Sequence, residues 1–139
     1  MQLLLNIDVP DIDAASAFYT QAFDLQLGRR LFAGQVRELL GAPLPIYLLA
    51  KAAGSAPFAG SAVGRSYQPH WTPLHLDLLV EDLDVALARA LAAGARQEGP
   101  IQDQPWGRLV GLRDPFGHGC CLLQWQGQGY AEVDEAQSD

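Results

Sequence analysis

VPDIDAASAFYTQAF, residues 9–23, decides how this chain is read. Asp11 stands where an N-cap belongs, and the apolar residues that follow recur at helical spacing, so residues 11–23 are expected to form a helix. The apolar run before Pro10, residues 2–9, is expected to be a strand. After the helix, LQLGRRLF, QVRELL and PIYLLA suit three more strands. The same opening returns 71 residues later: Val9-Pro10-Asp11-Ile12-Asp13-Ala14-Ala15 lies without gaps over Val80-Glu81-Asp82-Leu83-Asp84-Val85-Ala86. In this second copy LHLDLLV (74–80) reads as a strand. EDLDVALARALAAG (81–94) reads as a helix capped by Asp82 and closed by Gly94, and WGRLVGLRD and HGCCLLQW read as strands joined by a DPFG turn.

The first copy is thus a β-α-β-β-β unit, and the repeat implies the same plan for the second. Such a unit buries its helix on one face of a sheet and leaves the other face in want of a partner, so two copies can build a curved mixed sheet around a cavity. The expectation is one α+β domain over residues 1–127, made of modules 1–51 and 71–126 and followed by an acidic tail at 128–139. Between the modules, residues 52–70 are rich in small residues, Gly, Ser and Pro without a period. That connection is open to two readings, a cover over a site or a plain tether.

Bulk properties narrow the function. The chain has 139 residues, of which 49% are hydrophobic and 18% charged, enough to build a core. Its net charge of −7, with nine scattered cations, argues against a nucleic-acid partner. The N-terminus lacks a basic region and its apolar run stops at Pro10, which argues against a secretory signal, and no window approaches a membrane span. The two cysteines, Cys120 and Cys121, are adjacent and point to opposite faces of a strand, which disfavours a bridge between them. A reducing, cytoplasmic compartment is the expectation.

VPDIDAASAFYTQAF, HLDLLVEDLDVALARALAAGA and LRDPFGHGCCLLQW, taken in order and as a duplication, resemble the vicinal-oxygen-chelate superfamily: glyoxalase I, bleomycin-resistance proteins and extradiol dioxygenases. The resemblance spans residues 1–125. In metal-using members it implies four ligand positions, on the first and last strand of each module. Here these fall on Leu4, Tyr47, His75 and Cys121. Only His75 keeps a usual ligand type, so no cofactor is expected and a divalent metal is disfavoured. A catalytic site needs about three protein ligands and an open position. Cys121 and Tyr47 leave open a site of altered identity, alongside the reading of Cys121 as an inert core thiol.

Strand alternation places His75 and Asp77 on the cavity side, opposite Leu74, Leu76 and Leu78, and Leu4, Asn6 and Asp8 opposite Leu3, Leu5, Ile7 and Val9. For His75 this leaves a hydrogen bond to Asn6 or Asp77, a ligand contact, or metal-free acid–base work. Trp71, Trp106 and Tyr47, with Phe58 and Tyr67 in the connection and Trp125 at the rim, are aromatic candidates for a flat ligand. Arg37 and Arg108 are candidates for meeting a ligand carboxylate, or for pairing on the surface. His118, at the tip of the DPFG turn, is expected in solvent. The resemblance implies a homodimer that binds a small organic molecule, aromatic or antibiotic-like, without metal. The alternative it implies is a metal-dependent lyase, isomerase or dioxygenase built on His75.

Overall fold

In a computed structural model, which describes residues 1–137, the chain forms two units, Met1–Gln68 and Pro69 onward. In the first, β1 (Leu5–Val9) leads into α1 (Ile12–Phe23), β2 (Gln26–Leu31), β3 (Val36–Leu40) and β4 (Ile46–Ala50). The sheet order is β1-β4-β3-β2, with β1 parallel to β4 and the other pairs antiparallel. The second repeats the plan with β5 (Asp77–Leu79), α2 (Leu83–Ala93), β6 (Arg96–Gln104), β7 (Gly107–Arg113) and β8 (Gly119–Trp125) in the order β5-β8-β7-β6. Each unit is β-α-β-β-β, and each carries its own four-stranded mixed sheet.

The caps explain where the helices start and stop. Asp11 Oδ1 accepts the backbone N–H of Asp13 and Ala14, and the Asp82 side chain accepts that of Val85, filling orphan donors of the first turn. Gly94 ends α2 at φ +116°, a conformation open to glycine at no steric cost. α1 lays Ala15, Phe18, Tyr19 and Ala22 on a sheet face built from Val9, Leu39, Ile46 and Leu48. α2 lays Leu83, Leu87 and Ala90 on Val110, Leu112 and Leu122. Burying each such leucine contributes about 1.5–3 kcal/mol.

Alternation in β1 puts Val9 in the core and Asn6 outside, as expected, but the strand starts at Leu5, and Leu3 and Leu4 are exposed. The departure is larger in β5. Pairing with β8 begins only where Leu76 O accepts the Cys121 N–H, and the strand proper is Asp77–Leu79. Ahead of it the Thr72 hydroxyl binds the Leu74 carbonyl and bends the chain after Pro73. Leu74, expected against the helix, is therefore 85% exposed, and His75 precedes the strand instead of lying within it.

The connection is not a bare tether. The Arg65 guanidinium donates to Asp8 Oδ2 (2.8 Å), Ser55 Oγ (3.0 Å) and the Ala56 carbonyl (2.7 Å). The Tyr67 hydroxyl donates to Lys51 O at 2.6 Å. The segment folds back on its own unit. Of the acidic tail, Gly129 is buried and Tyr130 packs on Trp125 and Trp106, with ring centroids 4.6 and 5.2 Å apart. Glu132–Ala136 are exposed, and Ser138 and Asp139 lie outside the described residues.

Candidate functional site

The helix-free face of the first sheet is set by register. Asn6 lies beside Tyr47, and Tyr47 beside Glu38, so three polar side chains from β1, β4 and β3 share one row. Next to them Leu49 pairs with Val36, and Val36 with Leu31. Asn6, Leu31, Phe32, Val36, Tyr47 and Leu49 line an open pocket of about 250 Å³. Its walls are apolar apart from one amide and one phenol, a composition suited to a small organic ligand.

Glu38 is the residue that pattern reading passed over. It is only 7% exposed, and its carboxylate takes Arg29 Nη2 at 2.6 Å, Nε at 3.0 and 3.2 Å, the Arg29 backbone N–H at 3.2 Å, and the Tyr47 hydroxyl at 3.4 Å. The Arg29 guanidinium, then its backbone N–H, hold Glu38 down to a pKa of about 2. A Cβ at Gly28 would stand 2.7 Å from Glu38 Oε1, so glycine makes room for the carboxylate at the bulge between Leu27 and Arg30. The lone glycine in LQLGRRL was the available signal.

The pocket mouth is held by an unusual turn. Phe32 (φ +51°), Ala33 (φ +53°) and Gly34 (φ +88°) follow one another in left-handed backbone between β2 and β3. A bulky aromatic residue there is a conformational outlier, and it leaves the Phe32 ring 77% exposed at the pocket edge.

Of the expected site residues, Asn6 and Tyr47 come together here. In the second unit Asp77 pairs in register with Cys121 on the helix-free face. His75 is exposed and makes no hydrogen bond to Asp77 among the described residues. Arg108 sits on the helix side, where α2's Asp84 (3.1 Å) and Asp103 (3.2 Å) take its guanidinium. Arg37, paired in register with core Leu48, also faces the helix side, and Glu38 takes Arg29 in place of Arg37. Trp71 is 81% exposed in the segment before β5, and Phe58 is exposed in the connection. Trp106 and Trp125 are gathered by Tyr130, beside a recess of about 510 Å³ lined by Trp125 and residues 127–131. His118 is half-buried, its Nδ1 lying 3.4 Å from His70 Nε2.

The four implied ligand positions do not make a donor set. Leu4 has no donor atom, and the Tyr47 hydroxyl is turned to Glu38. Burial, then the Asp77 charge, raises the Cys121 thiol, which disfavours the thiolate a metal requires. Burial pushes its neighbour Cys120 up to about 12. Among the described residues no three His, Cys, Asp or Glu side chains are grouped to hold a metal ion. These residues do not fit the family's metal.

A family model described as a glyoxalase-like domain matches residues 5–123. The chain belongs to the glyoxalase-like domain family. An uncharacterized protein of Mycobacterium bovis is 38% identical over 140 residues, covering 91% of this chain and 84% of that protein, and one of Mycobacterium tuberculosis is equally identical with 75% of its length covered. Among solved structures, TioX from Micromonospora sp. ML1 superposes with a TM-score of 0.68 at 22% identity, covering 91% of this chain and 99% of that one. TnmS3, an antibiotic binding protein from Streptomyces sp. CB03234, gives 0.64 at 22%, covering 91% and 96%. The fosfomycin resistance protein FosX from Listeria monocytogenes gives 0.67 at 20%, covering 91% and 93%. These likenesses show a shared fold, which proteins described as glyoxalase/bleomycin resistance protein/dioxygenase also have. No helix among the described residues is long and apolar enough to cross a membrane.

Proposed function

We propose that this protein binds a small, largely apolar organic molecule, aromatic or antibiotic-like, in the pocket of its first unit and does so without a metal. One observation carries the reading: the pocket joins apolar walls from Leu31, Phe32, Val36 and Leu49 to two in-register polar groups, Asn6 and Tyr47. Binding of that kind requires a shaped cavity and a few anchors, with no reacting group. The likeness in fold to a protein described as antibiotic binding supports the choice of ligand class.

A homodimer is part of the proposal. β1 and β5 are edge strands, and the exposed Leu3, Leu4, Leu74, Leu76 and Leu79 lie on or just before them, apolar surface that a second copy would cover. The reduced cysteines fit a cytoplasmic setting.

The test is the metal content of protein purified without chelator or affinity-tag metal, read together with binding of aromatic probes after chelator treatment. Substoichiometric metal and unchanged binding are expected. Near-stoichiometric metal, lost in His75→Ala along with binding, would replace this reading with a metal-dependent lyase, isomerase or dioxygenase.

A further inference from the structure

We infer that the ligand presents a hydrogen-bond donor to Tyr47 and carries no negative charge. This rests on the first-unit pocket being the binding site, and it follows from what stands behind Tyr47. Glu38 is buried and ionised, and an ionised carboxylate only accepts hydrogen bonds. The Tyr47 proton is therefore directed at Glu38 Oε2, away from the pocket. What Tyr47 offers a ligand is oxygen lone pairs.

Asn6, its register neighbour, makes no side-chain hydrogen bond among the described residues and can present either amide atom. The other four lining residues, Leu31, Phe32, Val36 and Leu49, offer only apolar side chains. No arginine lines the pocket: Arg29 is engaged by Glu38, Arg65 by Asp8, and Arg30 reaches the turn at Gly34. Lys51 lies beyond the end of β4 and does not line the pocket.

An anion seated against these side chains would give up part of its water and meet no cation among them, which is unfavourable. A phenol, an aromatic amine or an amide N–H would instead bridge to the Tyr47 oxygen. At about 250 Å³ the pocket lies below the range of about 300–1,000 Å³ usual for drug-sized ligands. It takes one or two fused rings, or one end of a larger molecule.

Three probes sharing one ring system decide it: 2-naphthol, 2-methoxynaphthalene and 2-naphthoate, titrated calorimetrically near neutral pH into the full chain and into Tyr47→Phe. The naphthol is expected to bind about three- to tenfold more tightly than its methyl ether, the scale of one net hydrogen bond, with naphthoate weakest. In Tyr47→Phe the naphthol-to-ether ratio falls to near one while ether affinity is kept, whereas a loss of packing alone would weaken both alike. Naphthoate binding best, or a ratio near one in the unaltered protein, overturns the inference and leaves the pocket as a binding site. Failure of all three to bind overturns the pocket reading and this inference with it.

Discussion

The left-handed turn at Phe32 and Ala33 should store strain that glycine releases. A non-glycine residue in this conformation costs about 1–2 kcal/mol, and glycine's greater freedom in the unfolded chain returns about 0.4–1 kcal/mol of that. Ala33→Gly, at an exposed position with φ +53° and ψ +34°, is therefore expected to stabilise the first unit by about 0.5–1 kcal/mol. Phe32→Gly gains the same backbone relief. It also gives up the small part of the ring that is buried, since Phe32 is 77% exposed, and on a scale of about 1.5–3 kcal/mol for full burial this forfeits about 0.5 kcal/mol. Its stability should change little. Binding separates the two variants: only Phe32→Gly removes the aromatic wall, with a loss of about tenfold for a stacked ring. Trp71, Trp106 and Trp125 all belong to the second unit, so their fluorescence is the wrong probe. Urea-dependent hydrogen exchange at the amides of Val36–Leu40 reads the right sheet. If Ala33→Gly lowers stability, the strained turn is not the conformation in solution and the account of the pocket mouth fails.

Glu38, held down to a pKa of about 2 by Arg29, contributes stability that is fully present above its ordinary value near 4.5 and drains as pH falls from there toward about 2. First-unit stability should decline in that window, and Glu38→Gln should flatten the decline while lowering stability at neutral pH. Glu98, lowered by Arg113, acts with the same sign in the second unit, so the readout must again be first-unit amides. Arg65→Ala should release residues 54–64 to limited proteolysis while the exchange protection of β1 and β4 persists, because the guanidinium joins the segment to Asp8, Ser55 and Ala56. Both thiols are raised by burial, so a disulfide reagent near neutral pH should label the native protein slowly, Cys121 before Cys120, and label both rapidly in urea.

The duplicated helix openings made most of the fold legible. Asp11, Asp82 and Gly94 do in the structure what their types and positions promise, because caps are local chemistry. β6 was different. RQEGPIQDQ is almost wholly exposed and broken by Gly99-Pro100 at a register shift, so it offers neither alternation nor an apolar run, and only the repeat implies a strand there. Alternation also misled at LHLDLLV, where the chain carries a hydroxyl-to-carbonyl bond from Thr72 to Leu74 and pairing with β8 begins only at Leu76. Asn6 was picked out by strand parity, which is local, and Tyr47 by the resemblance. Glu38 and Phe32 were not, since the first depends on Arg29 arriving across a bulge nine residues earlier and the second on backbone angles that residue types alone do not announce.

The central claim, a metal-free ligand pocket on the helix-free face of the first sheet, is tested most directly by nitrogen–proton correlation spectra of chelator-treated protein titrated with 2-naphthol. The account predicts saturable shifts confined to Asn6, residues 31–36 and residues 47–49. Shifts centred instead on His75, Asp77 and Cys121, or binding that emerges only when a divalent ion is restored, would contradict it.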